Sequence, residues 1–570
     1  MIPPVTTPRL VGTWGLAIGG GLAMFLAQPP VDWWLLAWLA PLPWLMLLWP
    51  ERLAGPRPWL AVWCGGLTYW LAAIHWLRLP HPATAIGWLL LSAYLACYPV
   101  LFTWAARRLI HRWRWPLLPA AVVAWVACEQ LRSELLGGFT FAGLGHTQWR
   151  WLALIQAADA IAAVGVGGIV MAGAAGLAAG LLGLQGRLAP RSAAAQVLAG
   201  AALVAVAVGY GHWRLATAPA AGESLDVLLV QGSIDTELKH DPAAAAEVLD
   251  HYDTLTINGL NDPAHPDSPD VIVWPETMWR WGLVEVDPAE RLPDGVLDEL
   301  LGAEPPPVSV AEQERRQARG RAALARQRLD ALARYARRYG TAWIVGLDRQ
   351  RITPAAPGGA EHFNAALVLD AAGNRVACYD KMHPVMFGEY VPFGDRFPWL
   401  YRLTPLPAGL TPGRGPVSVE IAGLALAPTI CYETALPGAI RALVRALAAA
   451  GDRPDLLVNL TNDGWFWGSS ELDMHLAAGI FRAVEVRTPL VIAANTGFSA
   501  AIDGSGRLLA RGPRRETEAL WVAVRADGRW SPWLTAGTLP AGLAVAVLAV
   551  LALEWLVTPR LAPTAGLCRE

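Results

Sequence analysis

The chain has little charge and few cysteines for its length. Asp, Glu, Lys and Arg make up only 16% of its 570 residues, against roughly 25% in ordinary soluble proteins, and the mean hydropathy is +0.34. With 54% hydrophobic residues it is neither disordered, collagenous nor a coiled coil. Six cysteines without a Cys-x-x-Cys pair or a Cys/His cluster supply neither a zinc site nor a disulfide framework, so no metal and no cofactor is expected. A formal net charge of -2 argues against a nucleic-acid surface, which needs clustered cations. No internal repeat is evident.

The charge that is present sits unevenly. Residues 1–215 hold 13 Arg, no Lys and 5 acids, the last 40 residues hold 4 charges, and the remaining 70 of 92 lie between. One chain therefore carries a membrane part and a water-soluble part. Eighteen of the 29 Trp fall in the first 215 residues, as expected where indole rings sit at membrane interfaces. Apolar runs near the ~20-residue bilayer-crossing length occur at 10–28, 33–49, 59–77, 84–106, 116–136, 157–184, 193–213 and 538–557. The first is read as retained, because no small-x-small cleavage site follows Leu26.

Arginine placement orients these runs, since positive loops stay cytoplasmic. With the N-terminus inside, eleven arginines are internal (Arg9, Arg52, Arg57, Arg107, Arg108, Arg112, Arg114, Arg187, Arg191, Arg560 and Arg569) and five are external (Arg78, Arg132, Arg150, Arg214 and Arg529). Eight spans then place both termini in the cytoplasm and residues 214–533 on the far side, which in a bacterial cell is the periplasm. The expected organisation is seven transmembrane helices in 1–214, a soluble domain in 215–533, and a last helix with a cytoplasmic tail in 534–570.

The soluble segment alternates strands and helices. Short β-rich runs lie at 226–231, 271–274, 342–347, 365–369, 424–430, 456–460, 490–494 and 520–524. The longest helical pattern, 312–339, lines up Leu324, Leu329, Leu332, Tyr335 and Tyr339 on one face. Its nine arginines fit either a solvated face of a layered α/β domain or an anionic-lipid surface. Residues 284–311, with prolines at 305–307, read as a loop insertion.

Three strand ends deliver reactive side chains: Glu276 after Val-Ile-Val-Trp-Pro, Lys381 after Cys-Tyr-Asp, and Cys431 after Ala-Pro-Thr-Ile. Catalytic groups gather at the strand ends of one α/β layer. A helix expected to start near Glu433 favours a Cys431 thiolate. Glu276 suits the base that a thiol of ordinary pKa ~8.5 needs. Lys381 suits the oxyanion of a tetrahedral intermediate, with the Tyr432 backbone N–H as second donor. Each residue also has an ordinary alternative: Cys431 a small buried hydrophobe, Glu276 a helix cap, Lys381 a solvated cation. A Cys378 to Cys431 disulfide would remove the nucleophile altogether. Cys64, Cys97 and Cys128 read as packing residues in the spans.

Trp274-Pro275-Glu276, Tyr379-Asp380-Lys381 and Ile430-Cys431-Tyr432-Glu433 resemble the Glu-Lys-Cys triad motifs of the nitrilase superfamily. Further matches are Leu229 to Gly232, Phe363-Asn364-Ala365, Phe387 to Pro392, Asn462 to Phe466, and Asn495-Thr496-Gly497. With seven spans before and one after, the whole chain resembles the apolipoprotein N-acyltransferases. That resemblance implies a membrane protein of the inner membrane, an eight-span helix bundle joined to a periplasmic α-β-β-α sandwich. It implies a reaction in which an acyl chain from a phospholipid donor is held as a cysteine thioester and passed to the α-amine of a diacylglyceryl-cysteine apolipoprotein acceptor. It makes Glu276 the general base, Lys381 the oxyanion partner, Cys431 the nucleophile and Glu389 the glutamate that positions Lys381, with Tyr432 and Glu433 flanking the nucleophile. The bare alternative for Glu389 is a surface salt bridge.

The chain departs from the pattern at Lys239-His240, where an aromatic is common, and at Met386, where Pro is common. Its Trp465-Phe466-Trp467 loop is extended, which suits a lipid-contacting lip or ordinary loop packing. Glu129, Arg132, Glu134 and Asp159 lie in or near spans, where ionisable groups are costly, and Arg132 with Glu134 reads as an interfacial pair. Two rival functions stand beside acyl transfer. One is a membrane-tethered nitrilase-type amidase hydrolysing a lipid amide or ester. The other is a transporter or receptor with a ligand-binding outer domain, although no matched repeat halves of the transporter kind are present.

Overall fold

The computed structural model describes residues 12–219, 223–235, 242–288, 290–302, 309–356, 359–394, 396–403 and 409–557. Arg9, Arg560, Arg569, Lys239, His240 and the prolines at 305–307 lie outside the described residues.

The first part is helical. Its elements are α1 (Thr13–Leu26), a 3-10 turn (Trp34–Trp38), α2 (Leu42–Met46), α3 (Pro58–Ala73), α4 (Thr84–Leu95), α5 (Cys97–His111), α6 (Leu117–Glu134), α7 (Leu152–Ile155), α8 (Ala158–Leu184) and α9 (Pro190–Ala216). Among the described residues, four helices are long and apolar enough to cross a membrane: α4 with α5 as Thr84–His111, α8, α9, and a C-terminal helix Leu539–Val557. The remaining runs are shorter or more polar. At 18 residues α6 is about 27 Å long, but it carries Glu129, Arg132 and Glu134. The run at 33–49 is not one helix; Pro41 and Pro43 lack the N–H a continuous helix needs and leave a 3-10 turn and a five-residue helix. Small residues let backbones touch in the bundle: a Cβ on Gly21 would lie 2.1 Å from the Gly65 oxygen, so α1 and α3 can cross this closely only without one.

The second part is a four-layer α-β-β-α sandwich. In chain order it comprises β1 (Ser224–Gln231), α10 (Ala245–Leu260), β2 (Val271–Val286), α11 (Asp294–Leu301), α12 (Val310–Tyr339), β3 (Ala342–Ile352), β4 (Ala360–Leu369), β5 (Arg375–Asp380), β6 (Val419–Ile421), β7 (Leu424–Ile430), α13 (Pro437–Ala450), β8 (Leu456–Thr461), α14 (Glu471–Val486), β9 (Leu490–Ala494), β10 (Ala500–Ile502), β11 (Leu508–Arg511) and β12 (Glu518–Arg525). The chain then enters α15 (Pro532–Ala536) and α16 (Leu539–Val557). One sheet has the order β12-β1-β2-β3-β4-β5 and the other β11-β10-β9-β8-β7-β6.

Period-2 geometry explains why the central strands read as unbroken apolar runs. In β2, Val271 and Val273 face the second sheet, while Ile272 and Trp274 face the helix layer of Val248, Tyr252, Leu332 and Ala336. Each such side chain contributes on the order of 1.5–3 kcal/mol by leaving water. Helix α12 is capped by the Ser309 side chain, which accepts from the Glu312 N–H, and ends at Gly340 in the left-handed region. Its apolar stripe of Leu329, Leu332, Tyr335 and Tyr339 lies on the first sheet, which favours the layered-domain reading of its arginines. The stretch 284–311 is not simply a loop, because β2 continues to Val286 and α11 follows.

The second sheet faces the bundle through α14. Nearly every residue of α14 is buried, because α8 covers the side that the sheet does not. A polar clasp joins the two parts: Asp159 of α8 accepts from Arg487 at 2.5 Å and from Arg214 of α9 at 2.7 Å. The N-terminal end of α8 and the C-terminal end of α9 therefore lie against the sandwich. At the opposite end of the bundle, Glu554 of α16 pairs with Arg112 just after α5, at 2.9 Å.

Candidate active site

Glu276 sits where β2 leaves its regular register with β3, between Trp274 and Trp279. The backbone crowds there: a Cβ on Gly346 would lie 2.6 Å from the Glu276 Cα, so β3 needs glycine opposite the bulge. Lys381 follows β5, and its backbone N–H donates to the Asn364 carbonyl at 2.9 Å. Cys431 directly follows β7 with φ +51, a left-handed conformation unusual for a side-chain-bearing residue, which turns the thiol out of the strand direction.

These side chains meet. The Lys381 Nζ is 2.7 Å from Glu389 Oε1 and 3.6 Å from Glu276 Oε1, and Lys381 is 1% exposed. Asn364 Nδ2 donates to Glu276 Oε1 at 2.5 Å. Val385 N–H donates to the other Glu389 oxygen at 2.7 Å, so Glu389 is a buried-edge partner of the lysine rather than a surface salt bridge. Burial alone would lower the Lys381 pKa, but the charges of Glu389, Cys431 and Glu276 outweigh it and hold the ammonium well above its usual range. At Cys431, burial and then the Glu276 charge push the thiol well above its usual pKa, with Lys381 pulling the other way. That direction runs against the thiolate expected at a helix N-terminus. Burial is the larger influence, and Cys431–Ala435 is a 3-10 turn, with the α-helix starting only at Pro437.

Glu433 does more than flank the cysteine. Its carboxylate accepts from Ile430 N–H at 2.7 Å, Tyr379 OH at 2.8 Å, Met382 N–H at 2.8 Å and His383 N–H at 3.0 Å. One buried carboxylate thus pins the cysteine turn to the lysine strand. Tyr432 reaches the bundle: its OH donates to the Gly138 carbonyl at 2.8 Å and its ring packs on Phe141. Arg132 supports that loop by donating to the Phe139 and Phe141 carbonyls at 2.7 and 2.9 Å, over the Trp70 ring. Its partner is Glu129 at 2.8 Å, one turn back on the same helix, and Glu134 instead accepts from Gln130.

Cys378 and Cys431 are both free thiols. Cys378 packs among the helix-side residues of the first sheet and Cys431 among those between the sheets, so the alternation of the fold separates them. Burial pushes the Cys378 thiol up to about 11. In the extended loop, Phe466 turns inward against Trp76 at 4.9 Å, whereas Trp465 and Trp467 are exposed. Sequence reasoning did not single out Asn364, Asn459, Thr434 or His475 as site residues; Asn364 alone stood in a quoted motif. Asp463, Glu471 and His475 form a buried group of possible metal ligands beside the cysteine turn, where sequence spacing had suggested none. His475 Nδ1 already pairs with Asp463 at 3.2 Å. Burial and the neighbouring Asp463 charge hold the Glu471 carboxyl well above its usual pKa.

Residues 20–176 match the family described as the apolipoprotein N-acyltransferase N-terminal domain, and residues 230–529 match the carbon-nitrogen hydrolases. The chain is 31% identical over 573 residues to the apolipoprotein N-acyltransferase of Azotobacter vinelandii, covering 97% of this chain and 96% of that one. It is 28% identical over 531 residues to that of Rhodopirellula baltica (88% and 90%) and 31% identical over 523 residues to that of Bordetella bronchiseptica (85% and 84%).

Proposed function

The chain belongs to the apolipoprotein N-acyltransferase family, and from this we propose that it transfers an acyl chain from a phospholipid, through a Cys431 thioester, to the α-amine of a lipoprotein's diacylglyceryl-cysteine. The observation that carries the reading is the buried Glu276, Lys381 and Cys431 constellation with Tyr432 resting on the membrane bundle. Glu276 takes the thiol proton as sulfur attacks the ester carbonyl. The Lys381 ammonium and the Tyr432 N–H hold the negative oxygen that forms. The carbon–oxygen bond then breaks, and the lysophospholipid leaves with the proton from Glu276. In the second half the acceptor amine attacks the thioester, Glu276 takes a proton from nitrogen, and the amide departs as the thiol is restored.

Two carboxylates around one lysine suit this cycle. Glu389 holds the ammonium while Glu276 gains and loses its proton, so the oxyanion donor stays charged throughout. An amide hydrolase would use the same acyl-enzyme, but it has no need of a nucleophile turn seated on membrane helices. On this reading the bundle makes eight passes of the inner membrane, with seven spans in 1–214, the catalytic domain at 215–533 in the periplasm, and 534–570 returning to the cytoplasm. Trp465 and Trp467 then form a lip toward lipid, with Phe466 anchoring it.

The test is loading without an acceptor. Purified full-length enzyme given phospholipid alone should release one lysophospholipid per site and carry a hydroxylamine-labile adduct on Cys431, which persists until a diacylglyceryl-cysteine peptide is added. Rapid release of free fatty acid without acceptor would favour the hydrolase.

A further inference from the structure

The carbonyl of Cys431 and the N–H of Tyr432 belong to one peptide unit. That unit is planar and trans, so the two groups point in opposite directions. Whatever grips the carbonyl from behind therefore aims the N–H in front. Thr434 Oγ1 donates to the carbonyl at 3.1 Å and Asn459 Nδ2 at 3.2 Å. As the first residues of a 3-10 turn lack partners within it, the Tyr432 N–H points out of the turn.

Thr434 is itself held. His475 Nε2 lies 2.9 Å from its hydroxyl oxygen, and the other imidazole nitrogen faces the Asp463 carboxylate at 3.2 Å. Thr461 donates to the same Asp463 oxygen at 2.8 Å. Every member is buried. The Thr434 hydroxyl carries one proton and directs it to the Cys431 carbonyl, so its oxygen accepts from the His475 ring. A chain of donors ending on a carbonyl also polarises the peptide and strengthens the N–H at its far side.

We propose that Thr434, backed by His475 and Asp463, positions the Cys431–Tyr432 peptide so that the Tyr432 N–H meets the oxyanion of the acyl-transfer intermediate. The three are positioning residues, and their role rests on the cysteine-thioester reading above. They act on the steps that develop an oxyanion and on no other. Alkylation of Cys431 by iodoacetamide displaces a halide and forms no oxyanion, so it reads thiol access and activation without the peptide's help.

The experiment uses the full-length enzyme in detergent with phospholipid as acyl donor. Thr434→Val keeps the branched shape and removes the hydroxyl. It should slow thioester formation about tenfold or more, a fraction of the loss when an oxyanion donor is deleted outright. The KM for phospholipid and the rate of Cys431 alkylation should stay within about twofold of the parent. Thr434→Ser should restore acylation, and His475→Gln should reproduce the Thr434→Val pattern. Unchanged acylation in Thr434→Val, a parallel fall in alkylation, or failure of serine to rescue would each overturn the assignment. Failure of the parent enzyme to load Cys431 would instead refute the thioester reading itself, and that outcome shows before any variant is made.

Discussion

On the proposed mechanism, Lys381→Met separates two effects of one ammonium. The side chain is fully enclosed, with Nζ 2.7 Å from Glu389 and 3.6 Å from Glu276. Methionine keeps the unbranched shape, so packing is largely preserved and the charge is what disappears. Two enclosed carboxylates then lose the cation they share. Removing one partner of a buried pair costs about 3–5 kcal/mol, and one of the acids will take up a proton rather than stay charged. Independently, the oxyanion loses a donor, which lowers the rate on the order of 100- to 1000-fold. A second substitution tells the effects apart. Lys381→Met with Glu389→Gln removes one carboxylate charge yet leaves an amide oxygen for the Val385 N–H. The double variant should regain most of the lost stability while thioester formation stays at least ~100-fold slow. Thermal unfolding in detergent reads the first quantity and rapid-quench intact mass the second. Normal thioester accumulation in Lys381→Met, or joint recovery of stability and acylation in the double variant, would show that the lysine only scaffolds the site.

Two further outcomes follow from charge and burial. An impermeant thiol reagent should reach a cysteine engineered at Ala356 from the periplasm and should not reach one at His111, which lies at the arginine-rich end of α5 beside Arg108 and Arg112; labelling of His111→Cys alone would reverse the orientation. Because burial and the Glu276 charge both disfavour the Cys431 thiolate, its alkylation rate should keep rising as pH climbs through the ordinary thiol pKa of ~8.5; Glu276→Gln, which removes a negative charge, should move the profile to lower pH, and a plateau below neutrality in the parent would contradict this account.

Some of this protein was decided locally. The division into a charge-poor helical part and a charged sandwich follows from composition along the chain, because charge is too costly to leave in lipid. The central strands follow from runs such as 271–274 and 456–460, whose side chains are apolar on both faces and so need cover on both. Glu276, Lys381 and Cys431 stood out because each follows such a run, and β-sheet topology carries strand ends to one place. Partner choice was not local. Glu433 binds Tyr379, 54 residues away, and Arg487 binds Asp159, 328 residues away. Only the packing of one sheet on the other and of α14 on α8 brings those atoms within reach. Periodicity records which face of an element is apolar, but not which buried polar group lies across from it. For the same reason the sequence left the Cys378 disulfide open and paired Arg132 with Glu134, whereas the fold places the Cys378 thiol on the helix side of the first sheet and Cys431 between the two sheets, and seats Glu129 beside the guanidinium. A buried donor takes the acceptor that the tertiary structure leaves nearest, since no water remains to substitute for it.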